Sequence, residues 1–323
     1  MANVVMTHLT IGDQIARYGF PGGHPFGPHR LGVFWEEARR LGLDGQVALR
    51  PPVMAGTAEL ERFHTPAYVA VVQERSRTGT GFLDYGDTPA FPGVFEAAAH
   101  VVGSALQGME EILAGQCRRA FVPIAGLHHA RPERAGGFCV FNDAGVVIHT
   151  LRAKHGIRRV AYVDIDAHHG DGVFYAFESD PELIFADLHQ DGRTLYPGTG
   201  GSHERGKGDA EGSKLNIPLP PGAGDSHFAQ VWPQVVAFLH EHRPDFFILQ
   251  AGTDSLAGDP LAQLRLSPAT HFLVTARLIQ LAESLGHGRL LALGGGGYNA
   301  HNIAKGWCEV VRAMVETPGH LPG

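Results

Sequence analysis

The 323 residues are 44% hydrophobic and 18% charged, so the chain can bury a large core as a soluble globular protein. A formal net charge of -7 argues against nucleic acid held by bulk electrostatics, and no apolar run reaches membrane-spanning length. Three cysteines, Cys117, Cys139 and Cys308, show neither metal spacing nor an even framework, and Met1 to Val5 lacks a basic segment leading into an apolar stretch, so a cytoplasmic protein is expected.

Short apolar runs alternate with amphipathic stretches, the pattern of an α/β fold with a mostly parallel central sheet flanked by helices in three layers. In chain order, residues 93–113 carry Val94, Ala97, Ala98, Val101, Ala105, Met109 and Ile112 at helical spacing. A strand follows over 119–124, a helix over 142–155, and strands over 159–165 and 183–186. The Gly- and Pro-rich residues 191–212, and then 219–225, read as long irregular loops, which are usually functional. A strand over 245–249 precedes a helix opened by Ser267 as N-cap and Pro268 at N1, running to about 285. A strand over 289–293 and a helix over 301–315 complete the pattern. No repeat or linker divides the chain, so one domain over residues 1–323 is expected.

The stretch Val163-Asp-Ile-Asp-Ala-His-His-Gly-Asp171 alternates apolar Val163, Ile165 and Ala167 with Asp164, Asp166 and His168. Successive strand side chains point to opposite faces, so three polar groups leave the strand end on one side. Two carboxylates and an imidazole so placed need something positive among them, and a divalent metal is the economical answer. Other polar clusters also follow apolar runs: His128-His129, Asp254, and Gly294 to Tyr298. Ligands of parallel α/β sheets bind beyond the carboxyl ends of the strands, so neighbouring strands would bring these segments to one crevice. There Asp166, His168 and Asp254 would hold a metal with positions left open, His128 and His129 would act as base and acid, and Asp164 and Asp171 would each orient one imidazole. Tyr298 on its glycine loop would donate to a developing oxyanion, a set suited to hydrolysis of an amide or ester.

These segments resemble the histone deacetylase and acetoin-utilisation-protein family, of the arginase–deacetylase fold. The matching stretches also include His24-Pro-Phe-Gly-Pro-His-Arg30, Phe63-His-Thr-Pro-Ala-Tyr68, Gly136-Gly-Phe-Cys-Val-Phe-Asn-Asp143, Tyr196-Pro-Gly-Thr-Gly200 and Gly252-Thr-Asp-Ser-Leu-Ala-Gly-Asp-Pro260. The resemblance implies Zn²⁺, with Fe²⁺ as the alternative, on Asp166, His168 and Asp254. It implies His129 as general base paired with Asp171, His128 as electrostatic partner paired with Asp164, and Tyr298 polarising the acyl carbonyl. By the same resemblance Gly137, Phe138 and Tyr196 line an acyl-lysine tunnel, Leu261 stands near its rim, Asp87 grips substrate backbone, and Arg30 lies beside an acetate channel. A structural K⁺ on Asp164, Asp166, His168, Asp187 and Leu188 is also implied, although Asp187 stands where many relatives have serine. Tyr196 stands where phenylalanine is usual, which adds a hydroxyl at the tunnel mouth.

The implied substrate is an acylated lysine in a protein or peptide, with an acetylated small amine such as an acetylpolyamine as the runner-up. An arginase-like ureohydrolase would need further metal ligands where this chain has Tyr298 and the histidine pair, and a non-catalytic binding relative would not need every catalytic position filled.

Overall fold

A run such as Val160-Ala-Tyr-Val offers apolar groups to both faces of a strand, as a parallel strand covered above and below requires. The computed structural model, described over residues 7–318, turns these runs into one parallel sheet. Met1 to Val5, the stretch searched for a leader, lies outside the described residues. The strands are β1 (Thr7–Thr10), β2 (Ala48–Arg50), β3 (Arg119–Val122), β4 (Val160–Asp164), β5 (Leu183–Gln190), β6 (Lys214–Leu219), β7 (Phe246–Gln250) and β8 (Leu290–Leu293). Their order is β2-β1-β3-β8-β7-β4-β5-β6, with every neighbouring pair parallel. Every residue of β3, β4, β5, β7 and β8 is buried.

The helices are α1 (Asp13–Ala16), α2 (Arg30–Arg40), α3 (Thr57–Leu60), α4 (Pro66–Thr78), α5 (Val94–Leu113), α6 (Asp143–His155), α7 (Asp171–Ala176), α8 (Asp225–His242), α9 (Pro268–Ser284) and α10 (Ala300–Glu316). α5 packs on β3 and α6, while α10 joins α9 and α2, and α9 reaches β7 and β8. No helix among the described residues is long and apolar enough to cross a membrane.

Three strands escape the sequence pattern. β1 and β2 are short and polar, and β6 carries Lys214, Asn216 and Pro218; β2 and β6 are the two edges, where a missing ladder donor or a polar face is tolerated. α9 starts where expected, with Pro268 at N1, but without a side-chain cap. Ser267 holds the N-cap position, but its hydroxyl donates to Asp225 Oδ2 at 2.6 Å instead of capping α9. A carboxylate is a stronger acceptor for a hydroxyl than a helix amide is a donor to it, and the bond ties the starts of α8 and α9 together.

The strands that precede the polar clusters, β3, β8, β7 and β4, are consecutive in the sheet. Their carboxyl ends therefore open onto one crevice.

Candidate active site

Beyond β4 the chain is folded back by its own carboxylates. The Asp166 N–H donates to Asp164 Oδ1 at 3.0 Å, the His168 N–H to Asp166 Oδ1 at 3.0 Å, and the Ala167 N–H to Asp254 Oδ1 at 2.8 Å. These bonds aim Asp166, His168 and Asp254 at one point, with one ligand atom from each lying within 4.8 Å of the others, and all three are buried. His168 Nδ1 lies 3.1 Å from Asp166 Oδ1 and 3.0 Å from Asp254 Oδ2. Burial opposes a charge on this ring, yet the bonds to Asp166 and Asp254 overcome it and raise its pKa to about 10. Burial, and then the nearby Asp166 charge, push Asp254 up to about 7. Two buried carboxylates competing for one proton form a donor set that fits a divalent cation with N/O ligation. Backbone closes over the pair: the Gly296 N–H donates to Asp166 Oδ2 at 2.8 Å, and a Cβ there would sit 2.3 Å from Asp254 Oδ2, so only glycine fits.

The histidine pair stands opposite. His128 Nδ1 meets Asp164 Oδ2 at 2.8 Å, His129 Nδ1 meets Asp171 Oδ1 at 2.7 Å, and the two Nε2 atoms are 3.0 Å apart. Both rings are buried, but their surroundings differ. For His128, burial is outweighed by Asp164 and Asp166, which raise the pKa to about 10; for His129, burial and the neighbouring His128 lower it to about 4 despite Asp171. The carboxylates thus favour the charged form of His128, while burial and His128 favour the neutral form of His129, whose Nε2 faces the Nε2 of His128. Arg131 holds the second oxygen of Asp171 at 2.9 Å.

Tyr298 packs between Phe138 and His168, with ring centroids 5.8 and 6.4 Å away. Burial raises its pKa well above 10, reinforced by Asp254 and Asp166, so it keeps its proton as a donor. Its backbone N–H donates to Asp259 Oδ2 at 3.0 Å, and the other oxygen of Asp259 accepts from the Leu261 N–H at 2.9 Å, which couples this loop to the half-exposed Leu261. Arg30 is fully buried, with Nε and Nη2 donating to the carbonyls of Gly297 and Gly295 at 3.0 and 2.6 Å. It is stacked 3.9 Å over Phe26, and its Nη1 has no partner among the described residues.

Gly137, Phe138 and Tyr196 flank the histidines. A Cβ on Gly137 would lie 2.4 Å from His129 Cδ2 and 3.0 Å from Tyr196 Cε1. Phe138 adopts φ 69°, a left-handed conformation that costs a non-glycine residue roughly 1 kcal/mol or more and is characteristic of functional sites. It is held there by Tyr18, whose hydroxyl donates to the Phe138 carbonyl at 2.7 Å, and by the Phe138 N–H donating to Thr88 Oγ1 at 3.1 Å. The Tyr196 ring lies 5.0 Å from His129 and is 47% exposed, so it stands at the mouth of the crevice. Asp87 is exposed on a loop wrapped around Asp84, whose Oδ1 accepts from the Gly86, Asp87 and Thr88 amides, each at 2.9 Å.

The expected K⁺ ligands meet a different arrangement. Asp187 Oδ1 pairs with His189 Nδ1 at 2.7 Å, and Oδ2 accepts from the Gly170 N–H at 2.8 Å, both in fully buried surroundings. Burial opposes charging of His189, but the Asp187 carboxylate raises its pKa. Each oxygen of Asp187 thus has a protein donor and its charge a counter-ion in His189, so this side chain does not fit a K⁺ ligand. Leu188 is buried beside it, and Asp164 Oδ2 is shared between His128 and the Tyr162 hydroxyl, 2.8 Å from each.

Residues 24–314 match the family model of the histone deacetylase domain. The chain belongs to the histone deacetylase family. Its relatives in this family include a probable deacetylase of Archaeoglobus fulgidus, 33% identical over 299 residues that cover 91% of this chain and 82% of the relative. The acetoin utilization protein AcuC of Bacillus subtilis is 33% identical over 323 residues, covering 94% and 81%. Histone deacetylase RPD3 of Saccharomyces cerevisiae is 32% identical over 304 residues, covering 91% and 68%. Among solved structures, the HDA15 HD domain superposes with a TM-score of 0.89 at 28% identity, over 97% of this chain and 89% of that one. The three-layer fold with its parallel sheet is therefore the histone deacetylase fold.

Two side chains important to this deacetylase-family site are missed by sequence reasoning. Gln250 ends β7 and donates from Nε2 to Asp166 Oδ2 at 2.7 Å; a polar residue closing an apolar strand is the same signal that marks Asp164. Asp143 reads as a helix-start residue, but its carboxylate turns back to accept from the Gly126 and Leu127 amides at 2.9 Å, bracing the segment that carries the histidines.

Proposed function

We propose that this histone deacetylase family member is a metal-dependent deacetylase that hydrolyses the acyl amide of a lysine-like amine and releases acetate. The observation that carries the reading is the charge-unbalanced trio Asp166, His168 and Asp254 facing an ordered histidine couple and a phenol with no hydrogen-bond partner among the described residues. Asp166, His168 and Asp254 would hold Zn²⁺, or Fe²⁺, which when bound lowers the pKa of water and polarises a carbonyl.

The chain's own groups then divide the work. His129, neutral and with its Nδ1–H held by Asp171, takes a proton at Nε2 from the attacking water and returns it to the leaving amine. His128, held charged by Asp164, stabilises negative charge as it develops. Tyr298 donates its hydroxyl to the forming oxyanion, in a pocket where burial strengthens the bond. Phe138 and Tyr196 give apolar walls to the methylenes of an extended amine, and Gly137 leaves room between wall and base. Leu261 sits at the rim, and the exposed Asp87 carboxylate suits a peptide N–H of an acyl-lysine substrate. Arg30, with a spare Nη1 donor, suits the carboxylate product.

The test is acetate release by the purified protein from acetyl-lysine peptides, acetylpolyamines and longer acyl-lysines, each with and without a chelator. Chelator-sensitive release from the acetyl-lysine peptides is expected. Release from acetylpolyamines alone would move the substrate to small amines, and no chelator-sensitive release from any acylated amine would sink the hydrolase reading.

A further inference from the structure

The chain has four lysines, Lys154, Lys207, Lys214 and Lys305, against 22 arginines, and Lys214 is almost wholly buried at 2% exposure. Its position is the first residue of edge strand β6, separated by β5 from β4, the strand that leads into the metal trio. A lysine ammonium has three donors and no acceptor. Here the donors have three acceptors: the Asp180 carbonyl at 2.8 Å, the Leu183 carbonyl at 2.9 Å and Ser213 Oγ at 2.6 Å. The Ser213 hydroxyl in turn donates to the Ala210 carbonyl at 2.7 Å. Inward-facing oxygens at such distances replace the hydration shell of a monovalent cation in carbonyl-lined ion sites. An arginine's planar fork would not enter this compact cage, which accounts for lysine in a chain that otherwise favours arginine.

We propose that Lys214 is a tethered structural cation, its ammonium filling an oxygen cage that would otherwise take a free monovalent ion of K⁺ or ammonium size. The charges around it agree. Burial lowers the Lys214 pKa to about 8, opposed by the Asp180 and Glu178 carboxylates and aided by Arg152, so it is charged at neutral pH. Arg152 pairs with the Asp180 carboxylate, and Lys207 with Glu178, so those side chains brace the cage from outside. The cage closes residues 177–183, which join α7 to β5, and α7 begins with the Asp171 that pairs with His129. Lys214 thereby fixes the base of the segment whose other end enters the crevice.

The experiment compares thermal unfolding of the wild type, Lys214→Ala and Lys214→Met in KCl, NH₄Cl and choline chloride at equal ionic strength. In choline both variants should unfold on the order of 5 °C below the wild type, because the carbonyls lose their donors. K⁺ and ammonium should restore at least half of the deficit of Lys214→Ala, which leaves the cage open, and little of that of Lys214→Met, whose side chain fills it. A Lys214→Met midpoint equal to the wild type, or a Lys214→Ala gain from K⁺ no larger than the wild type's own, overturns the proposal. A second measurement needs no variant: reductive methylation of the native wild type, read by peptide mass spectrometry. Lys154, Lys207 and Lys305 should react while Lys214 stays unmodified until the chain unfolds; native-state methylation of Lys214 at the rate of the other three overturns it equally.

Discussion

Two buried sites in this molecule face the same electrostatic problem and solve it in opposite ways. At the carboxyl ends of β4 and β7, the two buried carboxylates of Asp166 and Asp254 share the single imidazole of His168 and keep a net negative charge. At the start of β6, Lys214 meets its oxygens one for one, and at Asp187 the partner is His189. The difference separates a place built to receive something from one that is finished. Self-balanced sites hold the fold; under the proposed function the unbalanced site takes a cation and then substrate.

The contrast breaks most completely at the metal trio. Asp254→Ala should lose both metal and turnover, since a methyl cannot ligate, and full occupancy by elemental analysis would refute the assignment. Tyr298→Phe should keep the metal while kcat falls on the order of 100- to 1,000-fold; unchanged turnover would remove the phenol from the chemistry. Gln250→Ala, which deletes the donor to Asp166 Oδ2, should weaken metal affinity or activity about 10- to 100-fold with the fold intact by circular dichroism.

The smallest effect is a pH dependence of stability in the chelated protein. His168 and His128 are both raised to about 10 in the fold, above an unfolded value of about 6.5. Their contribution is fully present below pH about 6.5 and is lost as pH rises toward 10. The unfolding midpoint in chelator should therefore decline over that window, and less so with metal bound, because the cation displaces the His168 proton. A midpoint that stays level or climbs with pH in chelator would contradict the charge imbalance.

Most of the candidate site is legible in the sequence because polar clusters a few residues beyond buried, mainly apolar strands are conspicuous, and β3, β4, β7 and β8 all lead to one. What escapes depends on pairings between distant segments. Gln250 and Asp143 carry the same side chains they would have as a strand end and a helix cap, and only the fold shows that one reaches Asp166 and the other Gly126. The Asp187–His189 pair left a readable trace, since residues two apart on a strand share a face, but the position reads as a cation ligand until both oxygens are seen to have partners. β1, β2 and β6 escape because short or edge strands need no strong apolar alternation.

The sheet order carries a consequence for how activity is acquired. β3 lies against β8, residues 119–122 beside 290–293, so the histidine couple and the phenol come from opposite halves of the polypeptide. Contacts so distant along the chain close late and slowly during folding. Regained turnover after dilution from denaturant should therefore lag behind regained helical signal, making the enzyme's own assay a reporter of complete assembly.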